Sequence, residues 1–338
     1  MIGWLKNLDD ASRLTSINEA SRISGISAKA IEKDWWVTLS LKLVFSTPFA
    51  RYFAFKGGTS LSKGWQLIDR FSEDIDISLS SEAVGIPYIE KPSKTFVEQL
   101  RRAGCSFTSQ ELLEALKVGF QNSEVPENLY SIEAEPVRPD MPDTDPQALY
   151  VNFVSLFDPN PYLPDRVKIE FSVRSLKEPS LMRNMSSLLV THFPNENYKE
   201  ENFDILTIQP QRTLIEKMLL LHEEYNRDEK SKMRTERMSR HYYDLFQISR
   251  LDFSSQTLRD IDFIEEIVEH RMYYSRLKRF DYGTLKRGNF CIIPTADILK
   301  ALELDYEIMR AEMIYGDPPT FSEIIQAMKV LQDEINTK

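Results

Sequence analysis

Apolar residues recur at helical spacing from about Ala11 to Ser46, so this stretch predicts helices. Within it, Ile31 to Val44 is read as a strongly amphipathic segment that carries Trp35 and Trp36. Tyr52-Phe53-Ala54-Phe55 is short and aromatic and predicts a buried strand, broken by Gly57-Gly58. Thr59 to Leu67 predicts a helix, and Ile75-Asp76-Ile77-Ser78-Leu79 alternates with the period of two that marks a strand. Glu82 to Lys94 predicts a loop, Phe96 to Phe120 mostly helix, and Pro126 to Pro146 a strand followed by an exposed loop. Tyr150 to Leu156 and Val167 to Val173 predict two further strands around the turn-rich Asp158-Pro159-Asn160-Pro161.

The pattern changes near Ile205 to Pro210 and is helical beyond it. The predicted helices are Gln211 to Tyr225, Ser239 to Ser249, Ser255 to Tyr274, Ile298 to Ile314 and Phe321 to Asn336. Pro210 suits the first position of the first of them. The expected division is residues 1–207, a strand-containing domain with N-terminal helices, and residues 208–338, a helical domain.

Composition narrows the function classes. The chain has 338 residues and is 42% hydrophobic, enough for one large core or two smaller ones. Its net charge of -10 excludes a general nucleic-acid coat, so any RNA contact needs a local basic patch. Two such stretches exist. Arg227 to Arg240 carries Arg227, Lys230, Lys232, Arg234, Arg237 and Arg240, and Arg271 to Arg287 carries Arg271, Arg276, Lys278, Arg279, Lys286 and Arg287 among Tyr273, Tyr274, Phe280 and Tyr282. They read as an RNA-binding face, as a docking patch for a protein partner, or as solvated helix faces with their aromatics in the core. Cys105 and Cys291 stand far apart, and the four histidines are not at metal-ligand spacing. A disulfide framework and a zinc site are therefore not expected, and a cytoplasmic location is. No apolar run is long enough to span a bilayer.

The chemistry concentrates in two short stretches. In Ser72-Glu73-Asp74-Ile75-Asp76-Ile77, Asp74 and Asp76 stand two apart. A strand would place them on one face, ~6.5–7 Å apart, where paired carboxylates suit divalent ions. Mg²⁺, or Mn²⁺ in its place, is the expected cofactor, since it takes few carboxylates and completes its shell with phosphate and water. An isolated acid pair of this kind is more often a solvated strand end, so its neighbourhood matters. Phe55-Lys56-Gly57-Gly58-Thr59-Ser60-Leu61 is that neighbourhood: an apolar strand ends at a diglycine and a helix starts. Such a turn offers free N–H groups to a phosphate. Glu170, an acid between Ile169 and Phe171, is the expected third carboxylate.

These residues resemble the AbiEii/AbiGii nucleotidyltransferase toxins, within the DNA polymerase β-like superfamily. The resemblance is carried by Phe55 to Lys63 and Arg70-Phe71-Ser72-Glu73-Asp74-Ile75-Asp76. It extends to Glu32-Lys33-Asp34-Trp35-Trp36-Val37, Val167 to Ser175, Leu214-Ile215-Glu216-Lys217-Met218 and Arg240-His241-Tyr242-Tyr243-Asp244-Leu245. It implies an α+β fold: a polymerase β-like core with a mixed sheet, plus a mostly helical C-terminal domain. It implies transfer of a nucleotide from an NTP to an acceptor, the tRNA 3′ end in some members, in toxin–antitoxin or phage-defence systems, with a cognate antitoxin as partner.

On this reading Asp74, Asp76 and Glu170 hold the metals, and Lys56, Gly57, Gly58, Thr59, Ser60 and Ser72 form the nucleotide-binding turn. The pattern around Lys217 allows a lysine that snorkels to the surface; the resemblance implies a triphosphate contact instead. For Asp244 it implies a carboxylate that orients Lys217 or an arginine. The alternatives are a nucleotidyltransferase acting on a protein or a small molecule, a DxD glycosyltransferase, and a non-catalytic module. The diglycine turn argues against the second, and the intact acids and glycines argue against the third.

Overall fold

Seven segments extend as strands: β1 (Phe53–Lys56), β2 (Ile75–Leu79), β3 (Tyr130–Ala134), β4 (Gln147–Phe153), β5 (Arg166–Ser172), β6 (Ser180–Met185) and β7 (Phe203–Ile208). They form one mixed sheet in the order β3-β4-β5-β2-β1-β7-β6. The structure is a computed structural model and describes residues 2–193, 200–227, 233–275, 277 and 280–337. The chain divides into two units. One comprises residues 1–66, 70–89 and 94–208, and the other residues 67–69, 90–93 and 209–338. The sheet lies wholly in the first unit; with the helical second unit it makes the α+β class that the resemblance implies.

Phe53, Ala54 and Phe55 are fully buried, as a strand between two neighbours requires. β1 runs antiparallel to β2 and parallel to β7, while β2 runs parallel to β5. In β5, Val167, Ile169 and Phe171 are buried and Lys168, Glu170 and Ser172 half-buried, so one face of the strand feeds the core. The period-two pattern thus locates β2 and β5 correctly. β6 and β7 were not among the predicted strands. β6 is an edge strand with Leu181 and Met182 exposed, and lacks the alternation that betrays a half-buried strand.

Three predicted helices differ in form. Ile31 to Val44 lies in the helix Ala28–Val44, which is not amphipathic: every residue from Ala30 to Leu41 is buried, including Glu32, Lys33 and Asp34. Trp35 packs against Trp4 and Trp36, and Trp36 stacks on Phe153 at 5.1 Å. The helix expected over Thr59–Leu67 instead starts at Gly57 and continues as a π-helical turn over Ser60–Gly64. In the second unit, the helix expected over Ser255–Tyr274 is two, Asp252–Arg259 and Ile261–Tyr274. Asp260 breaks it, because its carboxylate accepts the Phe263 N–H and caps the second helix. Helix Pro210–Tyr225 has its proline in the first turn, where a missing N–H costs nothing. Cys105 and Cys291 are both free thiols. Among the described residues, no helix is long and apolar enough to cross a membrane.

One buried acid of the first unit predicts a pH effect. Glu200 accepts a hydrogen bond from Trp35 Nε1 at 2.8 Å. Burial pushes its pKa from an ordinary 4.5 up to about 7. Between those values the folded protein binds the extra proton, so stability falls as pH rises through the window. Glu200→Gln is expected to change stability little at pH 4 and to raise it at pH 8, by on the order of 3 kcal/mol. Melting curves at both pH values check this; an equal gain at both would place the effect elsewhere.

Candidate active site

Strand register brings two of the carboxylates, Asp76 and Glu170, together. Asp76 of β2 stands beside Glu170 of β5 and opposite Lys56 of β1, so the three side chains share one face of the sheet. Asp74 lies just before β2, two residues ahead of Asp76. Lys168, two residues before Glu170 on the same face, places its Nζ 2.7 Å from Glu170 Oε1. Burial alone would lower the Lys168 pKa, but Glu170 outweighs it, Asp74 adds to the effect, and the net shift is upward. Sequence reasoning missed Lys168, although its spacing of two from Glu170 was the available signal.

Gly57 covers this face. Its φ of +75° is in the left-handed region, and a Cβ there would lie 2.1 Å from Asp76 Oδ2. No other residue type allows both the turn and the close carboxylate. A Cβ on Gly58 would lie 2.6 Å from Arg70 Nη2 and 3.0 Å from Ser72 Oγ. The turn following β1 therefore sits directly on the segment that leads into β2. The Thr59 hydroxyl locks the two together, donating to the Asp74 carbonyl and lying 2.9 Å from Ser72 Oγ.

The Thr59 and Ser60 hydroxyls brace the turn from within. Thr59 and Ser60 are buried, and Ser60 Oγ donates to the Gly57 carbonyl at 2.8 Å. Lys56 Nζ donates to Ser175 Oγ at 2.8 Å. The first N–H groups of a helix have no partner within it.

Gly57→Ala is expected to be more damaging than Gly85→Ala. Gly85 shares a positive φ but has open space where its Cβ would go. The alanine at residue 85 therefore reports backbone strain alone, ~1–2 kcal/mol. The excess loss of melting temperature in Gly57→Ala reports the collision with Asp76. Equal losses in the two variants would show that Asp76 gives way freely.

The donor set suits a hard divalent cation, as carboxylate oxygens are its preferred ligands. Among the described residues no three His, Cys, Asp or Glu side chains converge as a metal-holding group. Mg²⁺, however, is commonly held by one or two carboxylates and the substrate's own phosphates. Asp76 beneath a glycine, with Glu170 beside it and Asp74 two residues ahead in the chain, fits that chemistry.

The second unit holds the other two candidates. Lys217, on helix Pro210–Tyr225, is buried, so it does not snorkel to the surface. Its Nζ lies 2.9 Å from Asp244 Oδ2 and 3.3 Å from His241 Nδ1, both on helix Ser239–Ser249. The basic stretches are in part consumed by similar pairs. Arg271 is locked on Glu223 by two hydrogen bonds, and Arg227 and Arg234 both pair with Glu224. Tyr274 is buried against His270, and Phe280 packs edge-on to His222. Of these, Tyr274 is buried in the helical core, whereas Arg234 stays exposed while paired. Lys230, Lys232, Arg276, Lys278 and Arg279 lie outside the described residues.

No curated protein and no solved structure matches the chain. A family model does: nucleotidyl transferase AbiEii toxin, of type IV toxin–antitoxin systems, matches residues 43–327. That span contains β1, the glycine turn, all three carboxylates and the Lys217–Asp244 pair. The chain belongs to the AbiEii family of nucleotidyl transferase toxins.

Proposed function

We propose that the sheet face around Asp76 is a metal-dependent centre that transfers a nucleotide from an NTP to a 3′ hydroxyl of RNA, the tRNA acceptor end. The observation that carries this reading is the glycine turn directly over a strand carboxylate, so close that a Cβ at residue 57 would lie 2.1 Å from Asp76 Oδ2. A triphosphate and the acids that would hold its counter-cations then meet at one place. The acceptor oxygen bonds to the α-phosphorus, the bond to the bridging oxygen breaks, and pyrophosphate leaves.

Asp74 and Asp76 would hold Mg²⁺, with Glu170 joining them as Lys168 yields. Mg²⁺ held there would supply charge neutralisation at the phosphates and a lower pKa for the attacking oxygen. Backbone N–H groups of residues 57–59 would bind the terminal phosphates. Lys168 is positioned to take up negative charge whenever the carboxylates lack a cation. In the helical unit, Asp244 and His241 would fix the Lys217 ammonium for phosphate charge. A cognate antitoxin would be the protein partner, as the family's place in toxin–antitoxin systems supports.

The test is incubation with total tRNA and each labelled NTP in turn, with Mg²⁺, with Mn²⁺ and with EDTA. A labelled band at tRNA size, lost with EDTA, is the expected result. Label on protein would move the acceptor to a polypeptide, and label insensitive to EDTA would remove the metal from the mechanism.

A further inference from the structure

The helix Ala28–Val44 buries three consecutive charged residues, Glu32, Lys33 and Asp34. They lie ahead of the family match at residues 43–327. Removing charge from water is costly, and a buried ion pair is often no more stabilising than apolar side chains of the same volume. Where these charges end is therefore more informative than that they pair.

Each reaches a different segment. Lys33 Nζ binds the Glu73 carboxylate and donates to the Pro164 carbonyl at 2.9 Å. Glu73 is the residue before Asp74. Asp34 Oδ1 pairs with Lys63 Nζ at 2.7 Å, and its Oδ2 accepts the Leu188 N–H at 2.7 Å. Lys63 belongs to the π-helical turn Ser60–Gly64 that continues the glycine turn. Glu32 accepts from Ser155 Oγ at 2.5 Å and from the Leu156 N–H at 2.8 Å, which holds the loop after β4. All four side chains of the two ion pairs are at most 7% exposed. One turn of one helix thus ends on both walls of the candidate centre: the entry to the carboxylate strand and the turn over it.

We propose that Lys33 and Asp34 form a two-armed clamp, in which Lys33 positions Asp74 through Glu73 and Asp34 positions the glycine turn through Lys63. Both are positioning residues; neither touches the reacting atoms. The proposal rests on the nucleotidyltransferase reading for its kinetic part alone. The arms make separate predictions. The Lys33 arm sets the carboxylates that act on the α-phosphate, so its loss lowers kcat. The Asp34 arm sets the turn that grips the terminal phosphates, so its loss raises the KM for NTP.

The test removes each pair whole, so that no buried charge is left alone. In full-length Lys33→Met/Glu73→Gln, the melting temperature is expected within a few degrees of wild type. Amide exchange over residues 70–76 is expected to rise about tenfold while residues 57–64 stay protected. kcat should fall about tenfold or more, with KM within about twofold. In Asp34→Asn/Lys63→Met the exchange increase moves to residues 57–64 and the kinetic loss to KM. Lys33→Arg, which retains the charge, is expected to keep most of kcat and the protection of residues 70–76. Should a double variant not fold, Glu73→Asp carries the first arm, by shortening the reach without removing the charge.

Unaltered exchange over residues 70–76 in the folded variant overturns the clamp, as does kcat that returns to wild type together with stability. A wild-type protein that transfers no nucleotide from any NTP would overturn the activity instead. The exchange pattern would still decide the clamp.

Discussion

Asp76→Asn is expected to abolish nucleotide transfer, by about three orders of magnitude or ~4 kcal/mol of transition-state stabilisation, with little change in melting temperature. The substitution keeps the shape of the side chain under Gly57 and removes only the negative charge. Asp76 is half-buried at the sheet face and pairs in register with Glu170. Lys168 is already engaged by Glu170 and the amide fills the same space, so a small cost to the fold is expected. The loss falls on the charged metal–triphosphate complex alone. Label transfer to tRNA measured beside circular-dichroism melting reads both quantities. Retained transfer by a folded Asp74→Asn/Asp76→Asn protein would refute the catalytic assignment.

The second large effect is on stability. Lys217→Ala is expected to destabilise the protein by ~3–5 kcal/mol, because it removes the ammonium paired with the buried Asp244 carboxylate. Asp244 is fully buried and its Oδ2 lies 2.9 Å from Lys217 Nζ. An inactive Lys217→Ala protein would therefore say little about phosphate binding. Lys217→Met/Asp244→Asn removes both charges at similar volume and is expected to recover most of the melting temperature. If activity stays absent in that double variant, Lys217 acts on the substrate; if it returns with stability, the pair is structural. A single variant as stable as wild type would show that Asp244 is satisfied by other neighbours.

The arrangement also bears on how the acceptor is held. Arg271, Arg227 and Arg234 are engaged with Glu223 and Glu224. These three arginines are therefore committed to ion pairs within the helical unit. Each arginine is paired with a carboxylate of helix Pro210–Tyr225, and for Arg271 that partner is distant in sequence, which no local pattern records.

The sequence by itself determined what depends on neighbours in the chain. The aromatic run into Gly57-Gly58 marked β1 and its turn, alternation marked β2 and placed Ile169 and Phe171 in the core, and the motifs in their order marked the family. Local periodicity carries such information, because side-chain direction in a strand or helix follows from the backbone repeat. It also misled where burial is complete. The helix Ala28–Val44 carries charges in its sequence and yet is buried over most of its length, because Glu73 and Lys63 arrive from elsewhere to pair with them.

Tertiary structure alone decided the rest. Register put Glu170 beside Asp76 and Lys168 on its carboxylate. Close packing turned Thr59 and Ser60 into braces of the turn. Two helices brought Asp244 to Lys217 and made a buried pair of what the sequence allowed to be a surface lysine. The physical reason is the same throughout. A charge or a hydroxyl takes its role from the partner that replaces its water, and that partner is chosen by the fold, not by the neighbouring residues.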